Sequence, residues 1–219
     1  MSGPSGAESP LAGLGAATVF EASDRVTALP SRIKPLDPEW TLVGRAVPVV
    51  CAGGSNWSLH QALAAAGHGD VLVASVGSVR RRGYWGELMT RAALVRGIAG
   101  LVIDGDVRDS RQIRALGFPV FATGLSVAGV GKSDESCSLP AGVARVAGRT
   151  VHHGDLVIGD ADGVVIVPDA EVDRVVASAL RRCAREERII SELEQGVPLL
   201  DLLGIGGRGS AALVGGEPV

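Results

Sequence analysis

An α/β fold of a single domain is predicted by three observations. Between residues 43 and 122, apolar runs alternate with helical segments in the order strand, helix, strand, helix, strand. Two of those runs, residues 71–76 and 101–103, are continuously apolar rather than alternating, as in strands covered on both faces. After residue 150 the pattern changes to two short strands about an Asp-Ala-Asp-Gly turn and one long helix. The first half therefore implies parallel strands joined by right-handed crossovers.

Each element has its own local reason. Residues 1–10 are rich in Ser, Gly and Pro and read as a disordered tail. Residues 11–23 suit a short Ala-rich helix, and 24–39, with three prolines, an irregular arm. Residues 43–51 form a β-rich run broken by Pro48, hence an edge or bent strand. Ser55 or Asn56 can cap a helix to Ala66, stopped by Gly67. A helix over 86–96 closes at Gly97, with Leu88, Ala92 and Val95 on one stripe. A short helix over 110–115 and a strand over 119–122 follow. Residues 125–148 read as glycine-rich loop, with strands at 156–159 and 164–167. Asp169 is placed to cap a helix reaching about Gln195, where Gly196 and Pro198 stop it. The domain spans 11–203, and 204–219 is a loose tail.

Composition excludes several classes. With 46% hydrophobic and 21% charged residues the chain has ample material for a core. Only 3% are aromatic, so that core is built from Val, Leu, Ile and Ala. A net charge of -3 is not the basic footprint of a nucleic-acid binder. Cys51, Cys137 and Cys183 form no CxxC pair, which excludes a zinc ribbon or redox motif and suits a reducing, cytoplasmic setting. No signal peptide and no apolar run of ~18 residues is present, so neither secretion nor a membrane span is expected.

Chemistry concentrates in one stretch. Gly86-Glu87-Leu88-Met89 opens a helix, where unpaired amides and the positive dipole end favour an anion. The bland reading is a turn glycine and a first-turn charge. Asp104-Gly105-Asp106-Val107-Arg108-Asp109 follows a buried strand, where open α/β sheets place ligands. Its bland reading is an Asp-Gly turn and a helix cap from Asp109. Together, one crossover apart, the two clusters favour a site, and their hard oxygen donors suit Mg²⁺ or Mn²⁺. Other motifs fail. Gly129-Val130-Gly131-Lys132-Ser133 lacks the first glycine of a phosphate loop, because Ser126 stands there. His152-His153 reads as a turn pair, and His60 as a buried, hydrogen-bonded helix residue or a site residue. Arg80-Arg81-Arg82 reads as a solvated face or as substrate steering.

Trp85-Gly86-Glu87-Leu88-Met89, residues 96–105 (Arg-Gly-Ile-Ala-Gly-Leu-Val-Ile-Asp-Gly), Arg108-Asp109 and residues 159–165 together resemble the RraA-like family. Asn56 to Ala62 looks like the Asn…His helix of that family. The family includes the 4-hydroxy-4-methyl-2-oxoglutarate and 4-carboxy-4-hydroxy-2-oxoadipate aldolases, oxaloacetate decarboxylases and a non-catalytic ribonuclease regulator. The resemblance implies a swivelling β/β/α sandwich, assembled as a trimer or a dimer of trimers with the site between subunits. It implies a divalent metal, Mg²⁺ before Mn²⁺, on Asp109 with Glu87 acting through water. Arg108 would contact substrate, Gly86 and the amides of Leu88 and Met89 would hold the pyruvyl carboxylate, and Glu186, or adjacent Glu187, would come from a neighbour. This chain departs from the family at residues 17–21, at Arg80–Arg82, and at 126–129 (Ser-Val-Ala-Gly in place of Pro-Arg-Gly).

The implied activity is that of a metal-dependent (class II) lyase cleaving a carbon–carbon bond of a 2-oxo acid through a pyruvate enolate, with no Schiff-base lysine. Catalysis would fall to Arg108, Asp109 and Glu87. The alternatives are a ring-shaped regulator that binds a protein partner, and a lyase recruited to a specialised biosynthetic pathway. The arginine loop motivates the last of these, as a site for a larger or more anionic substrate.

Overall fold

The computed structural model describes residues 11, 13–51, 54–132 and 142–205. The tail assigned to 1–10, all but the first two residues of the tail assigned to 204–219, and Cys137 lie outside the described residues. In chain order the elements are α1 (Ala16–Glu21), β1 (Thr27–Ala28), β2 (Lys34–Pro35), β3 (Leu42–Val50), α2 (Trp57–Ala65) and β4 (Asp70–Ser75). Then come α3 (Glu87–Val95), β5 (Gly100–Asp104), β6 (Asp106–Val107), α4 (Ser110–Leu116), β7 (Val120–Ala122) and β8 (Gly124–Leu125). The hairpin β9 (Val143–Val146) and β10 (Arg149–His152) precedes β11 (Leu156–Asp160) and β12 (Gly163–Val167). The chain continues through α5 (Val172–Glu194) and α6 (Leu199–Leu202).

One sheet of eight strands runs in the order β1-β12-β11-β3-β4-β5-β7-β2. Its centre, β3-β4-β5-β7, is parallel, joined by α2, α3 and α4. β11 and β12 add to it antiparallel. The sheet is curled. Eight flat strands would span ~34 Å between outer axes, whereas the chain from Ala28 in β1 to Lys34 in β2 reaches ~22 Å at most. The two edge strands lie on consecutive parts of one arm, so the edges must approach each other. Lys34 Nζ accordingly donates to the carbonyl of Asp162, in the β11–β12 turn, at 2.6 Å.

Side-chain alternation along β4 sorts the core. Val71 and Val73 face the inside of the curl with Leu29, Val102, Phe121, Val157 and the β9–β10 residues Ala144, Val146 and Val151. Leu72 and Ala74 face the opposite layer, where Leu59, Met89, Ala93 and Ile113 of α2, α3 and α4 cover them. The outer face of β11 and β12 is covered by α1 and α5 through Val19, Val172, Val175 and Ala179. Both faces of the central strands are thus buried, as their unbroken apolar runs require.

Several expectations need correction. The helix expected over 11–23 is only Ala16–Glu21, because its start is fixed by a tertiary contact, Ala16 N–H to Asp160 Oδ2 at 2.7 Å. The arm over 24–39 is not wholly irregular and carries the two edge strands β1 and β2. β3 is central rather than an edge. Its residues Arg45 and Cys51 donate toward β4 and Ala46 donates toward β11. Alternation therefore points the nitrogen of Pro48 to the β11 side, where pairing has already ended at Arg45. The loop expected over 125–148 contains β9, which turns into β10 through Ala147 and Gly148, both at positive φ. Asp169 caps no helix. Its side chain pairs with Arg45 at 2.6 Å, and α5 begins at Val172 after a short 3-10 turn. The buried face of α3 is Met89, Thr90 and Ala93. Leu88 and Val95, expected on the core stripe, are 82% and 89% exposed.

Candidate active site

The segment between β4 and α3 runs beside the segment that follows β5. Asp106 N–H donates to Arg80 O at 2.9 Å, Tyr84 N–H to Asp106 O at 3.0 Å, and Arg108 N–H to Trp85 O at 2.9 Å. This short ladder brings Gly86 and Glu87 against Arg108 and Asp109. Trp85 anchors it: the indole is buried, stacks on Phe118 with ring centroids 6.0 Å apart, and donates to Thr90 Oγ1 at 2.8 Å.

Gly86 is the point of closest approach. A Cβ there would lie 2.4 Å from Asp109 Oδ2 and 3.2 Å from the Arg108 side chain. Asp109 itself has left-handed backbone (φ 56°, ψ 35°), unusual for a residue with a side chain. It precedes α4, yet its carboxylate caps nothing there. It turns back to accept the Glu87 amide at 3.0 Å, with Arg108 Nε at 3.7 Å. Its bland reading as a cap is thereby corrected. Glu87 lies in the first turn of α3 and pairs with Arg91, one turn on, at 2.8 Å. Among the described residues no acceptor is found for the amides of Leu88 and Met89.

These groups wall a cavity of about 180 Å³ with Asn56, His60, Tyr84, Val130 and Lys132. Sequence reasoning missed Lys132 and Val130, rejecting their segment as a broken phosphate loop. The segment has a different task. Gly131 bridges to Gly54 and Asn56 through backbone hydrogen bonds, which folds Val130 and Lys132 over the start of α2. Asn56 caps nothing with its side chain and instead donates from Nδ2 to Tyr84 O at 2.9 Å. His60 Nε2 is buried without a hydrogen-bond partner among the described residues, contrary to its bland reading. Burial, and then the charge of Lys132, hold the His60 pKa below its ordinary value. Burial likewise raises the Tyr84 phenol, whose O–H donates to Val79 O.

Asp104 belongs to the scaffold. Only 1% exposed, it is held by Arg32 of the arm through two hydrogen bonds at 3.0 and 3.1 Å, and by Arg80 at 3.3 Å. Arg82 donates to Gly129 O. None of Arg80, Arg81 and Arg82 lines the cavity, so the loop is a brace at the site's margin. Asp106 accepts from Thr123 Oγ1 at 2.9 Å, a support role. Glu186 lies on α5, paired with Arg182 at 2.8 Å, and is not part of this cavity. His152 and His153 sit at a turn beside Asp155. Among the described residues no group of three His, Cys, Asp or Glu side chains could cage a metal, and no helix is long and apolar enough to cross a membrane.

Comparison with known proteins follows the same lines. The RraA-like family model, described as Aldolase/RraA, matches residues 16–166. A protein of Halalkalibacterium halodurans named "Putative 4-hydroxy-4-methyl-2-oxoglutarate aldolase" is 35% identical over 170 residues, covering 77% of this chain and 80% of its own. The crystal structure of an uncharacterized protein from Pseudomonas syringae pv. tomato superposes with a TM-score of 0.76 at 27% identity, over 89% of this chain and 91% of that one. RraAS2 of Streptomyces coelicolor, described as an unusual member of the RNase ES inhibitor RraA protein family, gives 0.71 at 28% identity, over 81% and 92%.

Proposed function

Because the chain belongs to the RraA-like family, we propose that it is a lyase that cleaves a carbon–carbon bond of a 2-oxo acid. The observation that carries this reading is the convergence of the unpaired Leu88 and Met89 amides, the Arg108 guanidinium and the Asp109 carboxylate on one cavity. Two amides at a helix start hold a carboxylate. Arg108 then faces the oxygen on which negative charge grows as the bond breaks. Retro-aldol cleavage and decarboxylation of oxaloacetate leave the same pyruvate enolate, so one arrangement serves both.

The donor set fits a hard divalent cation, Mg²⁺ with Mn²⁺ as its substitute. Such ions bind through one or two carboxylates and keep several waters. Asp109 has a second carboxylate oxygen beside the one that accepts the Glu87 amide. Asp109 would hold the ion directly and Glu87 through water. Bound there, the ion supplies Lewis-acid stabilisation of charge on the substrate oxygens. A water oriented by Asp109 takes the hydroxyl proton in a retro-aldol cleavage and returns a proton to the enolate carbon. We further propose a trimer or dimer of trimers, in which Glu186 of a neighbouring subunit completes the acidic set. The regulator reading draws on the family resemblance and the likeness to RraAS2, and gives the cavity no task.

Pyruvate release from oxaloacetate and from 4-hydroxy-4-methyl-2-oxoglutarate, coupled to lactate dehydrogenase, tests this. Activity should fall by about 10²-fold or more on chelation and in Asp109→Ala. Undiminished turnover in both cases sinks the assignment.

A further inference from the structure

A second cavity, of about 370 Å³, shares Arg108 and Asp109 with the first. It adds Ser110 of α4 and the run Leu125-Ser126-Val127. Backbone pairing explains the placement. β8 runs parallel to β6 with Leu125 opposite Val107, and Ser126 N–H donates to Val107 O at 2.9 Å. Residues 125–127 therefore lie beside 107–109, and their side chains alternate. The hydroxyl of Ser126 is engaged: it donates to Arg81 O at 3.1 Å and accepts from Ala128 N–H at 3.3 Å. Leu125 and Val127, on the other side of that alternation, are 55% and 99% exposed.

We propose that this second cavity seats the part of the substrate that departs when the bond breaks, and that this part is an alkyl or aryl group rather than a second carboxylate. Leu125 and Val127 are then the residues that set specificity. The inference rests on the lyase reading of the neighbouring cavity.

Direction comes from the anion end. Leu88 and Met89 line only the first cavity, whereas Arg108 and Asp109 line both. A 2-oxo acid held by those amides and passing Arg108 extends its far end into the second cavity. Charge then selects the far end. Among the described lining residues Arg108 is the sole cation there, and it already faces the reacting oxygen. Residues 125–131 carry no charged side chain. A second carboxylate would leave water without gaining a cation, which is unfavourable. An apolar group gains in proportion to the apolar area it covers. Apolar residues scattered singly on a surface need no explanation, but these two flank the cavity at Arg108 and Asp109. They also fall where this chain reads Ser-Val-Ala-Gly in place of Pro-Arg-Gly, so no arginine stands there.

The test is calorimetry on the full chain with Mg²⁺ present, using pyruvate, 2-oxohexanoate and 2-oxoadipate. The last two have six carbons each and differ at the far end, methyl against carboxylate. 2-Oxohexanoate should bind about tenfold tighter than pyruvate, as for three methylenes roughly half buried, and about tenfold tighter than 2-oxoadipate. Leu125→Ala and Val127→Ser should each cut the ratio of 2-oxohexanoate to pyruvate affinity by about threefold. Val127→Arg should make 2-oxoadipate the tighter ligand of the six-carbon pair. Melting curves check that each variant is folded, and Val127, being exposed, serves if Leu125→Ala fails to fold. Equal affinities in the wild type, a preference for 2-oxoadipate, or a ratio that no Val127 variant moves overturns the inference. Pyruvate release from 4-hydroxy-2-oxooctanoate, which leaves pentanal, is measured beside release from oxaloacetate and from 4-hydroxy-4-methyl-2-oxoglutarate. If none of the three yields pyruvate, the lyase reading fails, and the affinity series still decides the apolar subsite. If pyruvate is released but the series is flat, the lyase reading stands and this inference falls.

Discussion

The backbone amide of Glu87 donates to Asp109 Oδ2 at 3.0 Å, across the bare flank of Gly86. The carboxylate at the centre of the site is thus aimed by the first peptide of α3. A methyl group on Gly86 would stand 2.4 Å from that same oxygen. Gly86→Ala should displace Asp109, cut turnover by about 10²-fold, and cost roughly 1–3 kcal/mol of stability. Kinetics and urea unfolding of the one variant check both, and turnover equal to wild type would refute the positioning role.

Asp104 ties the arm, the arginine loop and the end of β5 together through Arg32 and Arg80. Its carboxylate is buried while both arginines are about half exposed, so removing the acid strands no buried cation. Asp104→Asn should cost about 1–3 kcal/mol. Arg80→Ala should cost under about 1 kcal/mol, since the two bonds from Arg32 remain. Urea midpoints of the two variants give the order, and an Arg80→Ala loss larger than that of Asp104→Asn would contradict it.

Gly44 lies in β3 between β11 and β4. A Cβ there would meet Gly69 O at 2.4 Å and Val71 Cγ2 at 2.7 Å, and neither a backbone carbonyl nor a core valine can swing aside. Gly44→Ala should therefore destabilise by roughly 1–3 kcal/mol. Gly13→Ala, with nothing within 4 Å, is the control and should stay within about 0.5 kcal/mol. Thermal melts of both variants suffice, and equal shifts would show that the contact at Gly44 relaxes.

His60 has a folded-state pKa below its ordinary value of 6.5. The unfolded chain therefore takes up the proton first as pH falls. The contribution of His60 to stability is complete above pH ~6.5 and is lost as pH drops toward the folded pKa. His60→Gln should remove that dependence. Urea midpoints at pH 7.5 and 5.5 should draw together in the variant relative to wild type. An unchanged pH difference would mean that His60 is not the group responsible.

Much of the frame was legible because its signals are local. Unbroken apolar runs at 71–76 and 101–103 announced strands covered on both faces, and β4 and β5 are buried so. Gly196 and Pro198 announced the end of the long helix, which stops at Glu194. Misreadings arose where a partner distant in sequence decides. Pro48 argued for an edge strand, but whether its missing N–H matters depends on where β11 stops pairing. The apolar stripe of α3 pointed to Leu88 and Val95, but the ladder around Trp85 sets which face turns inward.

By itself the sequence determined the α/β class, the alternation of its central elements and the stretch from Gly86 to Asp109 where chemistry gathers. These follow from side-chain periodicity and from residue types with fixed local preferences. Only the tertiary structure decided that Asp104 is held by Arg32 and Arg80, that Arg80 thereby belongs to a brace, that His60 Nε2 is buried without a partner among the described residues, and that Val130 and Lys132 join the site. The physical reason is that a carboxylate's role depends on which cations and amides surround it. Those neighbours come from the arm, α2 and the loop at 129–132, far apart in the chain and brought together only when the sheet curls.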